Sequence, residues 1–265
     1  MKNIIKYIFI GFIQGITEFL PVSSSGHVVL FGSLFELDNL LLISIVAHIG
    51  TLFAVLYCYR KRIFDLLSKP KNKTNINLII ATIPTIIMVL IFNTFLEEHF
   101  STSSLVWGFL ISAILLVIAD LKKDGNKMIT KKSALYIGIS QGFALLPGIS
   151  RSGTTLVCGL ISGVEKNEAL DFSFLMSIPI ILASAVYESF KLFTSQITVN
   201  WLGIFLVMIS SFVFGIMSIK LMLKVVKKNK LYFFSIYLII LSLLVLFFVW
   251  IRNTKIDMFV FLQFF

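Results

Sequence analysis

Glu18, Ser23, Ser24, Ser25 and His27 fall within ten positions of one another, around Pro21, in an otherwise apolar stretch. A carboxylate in apolar surroundings is expensive to desolvate, so it marks function by default; a purely structural pairing of Glu18 with a lysine is the alternative. Serines ahead of a helix supply hydroxyls and backbone N–H groups at its positive end, a natural anion site. Simple N-capping by one serine would account for the hydroxyls, but not for Glu18 or His27. A second polar group surrounds Arg151, with Ser150, Ser152, Thr154 and Thr155 beside it. The guanidinium fork binds phosphate bidentately and stays protonated in any environment. Snorkelling to an interface is its bland reading, disfavoured because Pro147, Gly148 and Gly153 set Arg151 in a loop between apolar arms. One carboxylate, one histidine, hydroxyls and a guanidinium suit a phosphate ester and chemistry upon it. Binding alone would not need Glu18, which repels an anion unless it holds a metal or moves a proton.

Both groups sit in one repeated stretch. QGITEFLPVSSSG, from Gln14 to Gly26, and QGFALLPGISRSG, from Gln141 to Gly153, register without gaps at an offset of 127. Gln14 then matches Gln141, Gly15 matches Gly142, Ser23 matches Ser150, Ser25 matches Ser152 and Gly26 matches Gly153, while Arg151 takes the place of Ser24. Loop-forming sequence at membrane depth is tolerated only around a site or cavity. Paired interruptions in two halves of a membrane protein point to a site between repeats.

Composition agrees. The chain of 265 residues is 58% hydrophobic and 14% charged, with mean hydropathy +0.97 and 27 phenylalanines. That excludes an ordinary soluble domain. Net charge is +10, gathered at Arg60–Lys73, Lys122–Lys132 and Lys220–Lys230. Short basic loops stay cytoplasmic, so these clusters read as topology signals with contact to anionic bilayer lipids, and a nucleic-acid partner is not expected. Apolar spans near 40–59, 78–96, 104–121, 172–191, 199–219 and 232–251 are each about long enough to cross a bilayer.

By parity 4–33 and 133–165 are best read as re-entrant helix–loop–helix hairpins entering from opposite faces, although counting each arm as a separate span keeps the same parity. The expected fold is an all-α polytopic membrane protein with six transmembrane helices plus two re-entrant hairpins, arranged as an inverted repeat. The single domain 1–265 divides into repeats 1–121 and 133–252. Pro84 and Pro179 are expected to kink or start helices, and the tail from Arg252 to lie at the outer interface. Cys58 and Cys158 read as buried thiols, not as a disulfide or metal site, and the amino terminus as mature sequence. Glu97, Glu98 and His99 read as solvated, Glu165, Glu168 and Asp171 as paired on the inner side, and Glu188 as ambiguous. Gln141 and His48, the latter in AHIGT, are expected to line the cavity, with capping or packing equally open for His48.

TEFLPVSSSGH (Thr17 to His27) and PGISRSGTT (Pro147 to Thr155) resemble the undecaprenyl-diphosphate phosphatase family, membrane enzymes linked to bacitracin resistance. AHIGT and FSFLMSIP (Phe172 to Pro179) extend the resemblance over nearly the whole chain. It implies hydrolysis of undecaprenyl diphosphate to undecaprenyl phosphate and phosphate, in the bacterial cytoplasmic membrane, at a site open to the outer face, with Mg²⁺ or Ca²⁺ as cofactor. By motif position it implies Glu18, Ser24, His27 and Arg151 as catalytic residues. Phosphate binding falls to Ser23, Ser25, Gly26, Ser150, Ser152, Gly153, Thr154 and Thr155. Some members carry a second glutamate four residues before the first; here Gln14 stands there, offering a cation only a neutral oxygen beside Glu18. The nucleophile is Ser24, activated by a base such as His27, or a water positioned by Glu18. The polyprenyl tail is expected in a Phe-rich groove, and a homodimer stays open. A flippase or secondary transporter using the same inverted-repeat site is the competing reading.

Overall fold

The computed structural model describes residues 2–35, 39–99, 102–122, 124–192, 200–228 and 230–252. Among them are eleven helices and no strands. The first hairpin is α1 (Lys2–Phe19) and α2 (Ser24–Phe35), followed by α3 (Leu40–Cys58), α4 (Arg60–Ser68), α5 (Lys73–His99) and α6 (Thr102–Leu121). The second is α7 (Lys131–Phe143) and α8 (Arg151–Ile161), followed by α9 (Lys166–Leu192), α10 (Trp201–Lys227) and α11 (Tyr232–Arg252). Five helices are long and apolar enough to cross a membrane: α3, α5, α6, α9 and α10, while α11 adds a shorter apolar stretch, Tyr232–Phe248. The side chains of Glu97, Glu98, His99 and Glu188, and the tail beyond Arg252, lie outside the described residues.

Polar signals start the helices where the sequence provides them. Thr130 and Ser133 form a capping box on α7, and Asn200 accepts from the Gly203 N–H at the start of α10. Asp120, from α6, accepts from the backbone N–H groups of Leu231 and Tyr232, fixing the start of α11. Two features differ from the sequence reading. Residues 60–68 form α4, a helix within a segment read as a basic loop. Helices α5, α9 and α10 also extend into the lysine-bearing segments, because Lys and Arg are good helix formers whose stems cover apolar surface. Pro84 and Pro179 lie inside α5 and α9. Cys58 and Cys158 are only partly buried, and both are free.

Lipid replaces water as the outer solvent, so large apolar side chains face outward and small polar ones inward. On α11, Phe233, Ile236, Ile240, Leu243 and Phe247 are exposed, whereas Ser235 and Ser242 are buried and donate to the Ala113 and Val106 carbonyls of α6. Close approach between helices depends on missing side chains. A β-carbon at Gly15 would meet the Ser211 carbonyl of α10 at 2.7 Å, and one at Gly138 of α7 would strike the Ala81 backbone of α5. Hydroxyls complete both seams: Ser218 donates to the Gly15 carbonyl at 2.8 Å, and Thr85 to the Gly138 carbonyl at 2.9 Å. Thus α1 packs on α10 and α7 on α5, while α3 meets α9 and α6 meets α11. Each hairpin therefore rests on helices that lie in the other half of the chain.

Candidate active site

Both hairpin tips end at one cavity of about 480 Å³. The first tip turns through Ser23, whose φ of +66° is left-handed, and Ser24 then opens α2. In the second, Gly148 takes a φ of +84°, a conformation that costs glycine nothing, and Arg151 opens α8. Ser150 caps α8 by accepting from the Gly153 N–H. Two helices thus begin at the same cavity, bringing the positive ends of their peptide dipoles to it. Ser112 of α6 holds the second tip by donating to the Gly148 carbonyl and accepting from the Ser150 N–H, at 3.1 and 2.8 Å. The tips also touch each other, since the Ser152 hydroxyl donates to the Leu20 carbonyl at 3.0 Å.

Glu18 is the hub. Its Oε1 accepts from the Arg151 guanidinium at 2.5 Å, across the two tips. Its Oε2 accepts from the Ser24 hydroxyl at 2.7 Å and from the Gln14 amide at 2.8 Å. His48 reaches the same oxygen from α3, with Nε2 at 3.8 Å. The Ser44 carbonyl lies 2.9 Å from His48 Nδ1, so that nitrogen carries a proton, and at 3.8 Å Nε2 makes no hydrogen bond to the carboxylate. A buried carboxylate needs this density of donors, because an unpaired charge in low dielectric is prohibitive.

Glu18, Ser23, Ser24, Ser25, His48, Gln141, Ser150, Arg151 and Ser152 line the cavity. Gln14, Gly26, His27, Gly153, Thr154 and Thr155 do not. Thr154 donates back to the Ser150 carbonyl within α8, and the Thr155 hydroxyl pairs with Ser173 of α9 at 2.6 Å, so both belong to packing. His27 turns away to α11, where its Nε2 lies 2.6 Å from the Tyr237 hydroxyl. Sequence reasoning missed Ser112 and Tyr237 because each is a lone polar residue in an apolar span. Only the packing of α6 and α11 shows what they touch. Thr17 and Thr85 also reach the cavity.

The remaining wall is apolar: Ile86, Val89 and Leu90 from α5, Leu145 and Ile149 from the second hairpin, and Ile180, Ile181, Ala183 and Tyr187 from α9. Leu90 and Tyr187 are exposed on the outer surface as well, so the cavity reaches the lipid-facing side between α5 and α9. Oxygen donors for a hard cation are few. Among the described residues no three His, Cys, Asp or Glu side chains stand together. The Gln14 Oε1, however, is a buried acceptor with no hydrogen-bond partner, on the amide that touches Glu18. Mg²⁺ commonly takes one or two protein oxygens plus substrate phosphates and water. Of the two residues only Glu18 lines the cavity, so its carboxylate is the oxygen open to such an ion and Gln14 Oε1 is not.

A helical membrane bundle with a charge pair and hydroxyls at a lipid-accessible cavity defines the class: an integral membrane protein that handles an anionic amphiphile. The chain belongs to the family described as Bacitracin resistance protein BacA, which matches residues 7–244. It is 39% identical to an undecaprenyl-diphosphatase of Carboxydothermus hydrogenoformans over 254 residues, covering 92% of this chain and 97% of that one. An undecaprenyl-diphosphatase of Borrelia recurrentis is 36% identical over 266 residues, covering 94% and 100%. Undecaprenyl-diphosphatase 3 of Bacillus cereus is 36% identical over 250 residues, covering 92% and 96%.

Proposed function

We propose that the chain hydrolyses undecaprenyl diphosphate to undecaprenyl phosphate and inorganic phosphate, recycling the carrier lipid of cell-wall synthesis. The hydrogen bond from Ser24 to Glu18, beside Arg151 and at the mouth of an apolar wall, carries this reading. A carrier needs only groups that bind its ligand. Ser24 and Glu18 add a nucleophile and its base, which favours hydrolysis over transport.

The geometry supports a two-step reaction. The Ser24 oxygen attacks the terminal phosphorus while its proton passes to Glu18 Oε2, 2.7 Å away. A P–O bond to Ser24 forms, the phosphoanhydride P–O bond breaks, and undecaprenyl phosphate leaves. Glu18 gives that proton to the departing phosphate oxygen; water then attacks the phosphoserine and passes one proton to Glu18, which returns it to the Ser24 oxygen as the serine P–O bond breaks and phosphate leaves. Arg151 has five N–H donors, so those not spent on Glu18 remain for phosphoryl oxygens, alongside the N-termini of α2 and α8. Such transfer depends on positioning and electrostatic stabilisation more than on covalent chemistry. Held by Glu18, Mg²⁺ or Ca²⁺ would neutralise charge on the transferred group.

The polyprenyl tail leaves between α5 and α9, along Ile86, Val89, Leu90 and Ile180. That wall is Ile, Leu and Val with Tyr187, not phenylalanine as composition suggested. Each half comprises one re-entrant hairpin and three spans, related by inversion; the exchanged packing of α1 on α10 and α7 on α5 supports this. In the bacterial cytoplasmic membrane the site opens outward. The lining residues 86–90 and 180–187 lie a dozen or more positions beyond the basic starts of α5 and α9 at Lys73 and Lys166, which supports that orientation. On the other side the rings of Phe19, Phe174 and Tyr59 close the bundle, at 5.4 and 6.1 Å.

The test is phosphate release from undecaprenyl diphosphate by purified protein in detergent, with chelator and with added Mg²⁺ or Ca²⁺, beside Glu18→Ala, Arg151→Ala and Ser24→Ala. Cation-dependent release that all three well-folded variants lose is expected. No release by folded wild type would sink the hydrolase and return the bet to lipid transport.

A further inference from the structure

His27 follows Ser24 by three residues, yet its ring does not face the cavity. Its Nδ1 lies 2.7 Å from the Ser23 carbonyl oxygen. A carbonyl can only accept, so Nδ1 carries the proton. Nε2 lies 2.6 Å from the Tyr237 hydroxyl, which donates to the neutral imidazole. Both rings are nearly parallel, 15° apart with centroids at 5.7 Å, and Phe109 packs edge-on at 5.9 Å. His27 is 1% exposed. With both nitrogens engaged, no lone pair is left to deprotonate Ser24 or water.

The carbonyl that His27 grips belongs to Ser23, the residue held at φ +66°. That region is uncommon for a residue with a β-carbon and persists where surroundings enforce it. Ser24 comes next, its hydroxyl 2.7 Å from Glu18; the Ser23 carbonyl also accepts the backbone N–H of His27, at the longer distance of 3.3 Å. A comparable clamp holds the other tip, where Ser112 of α6 grips Gly148 and Ser150. In both cases the last helix of one half secures the hairpin of the other.

We propose that His27 and Tyr237 are positioning residues: the hydrogen-bond chain from Tyr237 through His27 to Ser23 locks the first tip in its left-handed turn and keeps Ser24 on Glu18. This rests on Ser24 being the nucleophile. Imidazole here is a structural donor and not the base.

Two amides separate the nitrogens. Asparagine places an N–H near the position of Nδ1, glutamine near that of Nε2. His27→Asn keeps the grip on Ser23 and is expected to retain kcat within about tenfold, the worth of the Tyr237 bond it loses. His27→Gln and His27→Ala release the turn and are expected to lose about a hundredfold or more, as misplacement of reacting groups does. Tyr237→Phe keeps the stack, drops kcat about three- to tenfold and leaves KM unchanged. Asparagine as inactive as alanine, with glutamine active, would overturn the proposal. A second measurement does not need turnover: ¹⁵N spectra of the three histidines, with His27 assigned through the asparagine variant, should show the Nδ1–H tautomer. An Nε2–H tautomer overturns the proposal as well. Absence of phosphate release in wild type with the Nδ1–H tautomer present would refute the phosphatase reading alone.

Discussion

Arg151→Ala would leave the Glu18 carboxylate, 4% exposed at its side chain, without a cation in contact. Breaking a buried pair from one side costs about 3–5 kcal/mol. The Ser24 and Gln14 donors stay at 2.7 and 2.8 Å and hold the loss near the lower figure, about 3 kcal/mol. Glu18→Gln strands the opposite charge, but the Arg151 side chain is 20% exposed and water screens it, so about 1–2 kcal/mol is expected. Removing both charges together leaves neither stranded. The double variant is therefore expected to be about 1–2 kcal/mol more stable than Arg151→Ala alone, a coupling well above the ~0.5 kcal/mol scatter of independent sites. Denaturant unfolding in mixed micelles, followed by near-UV circular dichroism, reads all four proteins. Losses that simply add would refute a desolvated ion pair joining the tips. Hydrolysis provides an internal check: the double variant should recover stability and recover no activity.

Other outcomes follow from the same contacts. Gly15→Ala should destabilise by about 1–3 kcal/mol in the same assay, because its β-carbon meets the Ser211 carbonyl at 2.7 Å; an unchanged midpoint would mean that α1 and α10 are not closely packed. Tyr59→Phe removes a hydroxyl donated to Asp171 at 2.6 Å and should cost about 1–3 kcal/mol of stability while sparing kcat. Leu90→Arg puts a charge on the α5 side of the lipid-facing opening. It should raise KM about tenfold or more for undecaprenyl diphosphate and much less for a short-chain diphosphate, since buried apolar area sets tail affinity; equal effects on both would move the tail elsewhere.

The meeting of the tips was legible in the sequence because a repeat in register constrains pairs of positions that no single motif does. Gln14 and Gln141, aligned in sequence, are both buried with an unpartnered amide oxygen. Convergence of Glu18, Ser24 and Arg151 followed from reading both interruptions as one site. The direction of the His27 ring was not legible in the sequence, because chain proximity to Ser24 says nothing about which way a side chain leaves a helix. The ring's neighbour, Tyr237, is 210 positions away. Thr154 and Thr155 look like anion donors in sequence, but threonine within a first helical turn returns its hydroxyl to the backbone, as Thr154 does to Ser150. Helix α4 was unreadable as a span and too basic to read as core, leaving only its loop-like charge.

The offset of 127 also sets the two matched stretches apart in charge. Glu18 falls on Leu145 and Arg151 on Ser24, so the halves carry opposite charges at positions that do not correspond. A chain built from two first halves would have a serine where Arg151 stands and no guanidinium for either glutamate; one built from two second halves would have a leucine where Glu18 stands and no carboxylate for either arginine. Neither copy could return to life as a symmetric pair of equals. The two tip stretches are complementary and not interchangeable, so neither completes the site without the other.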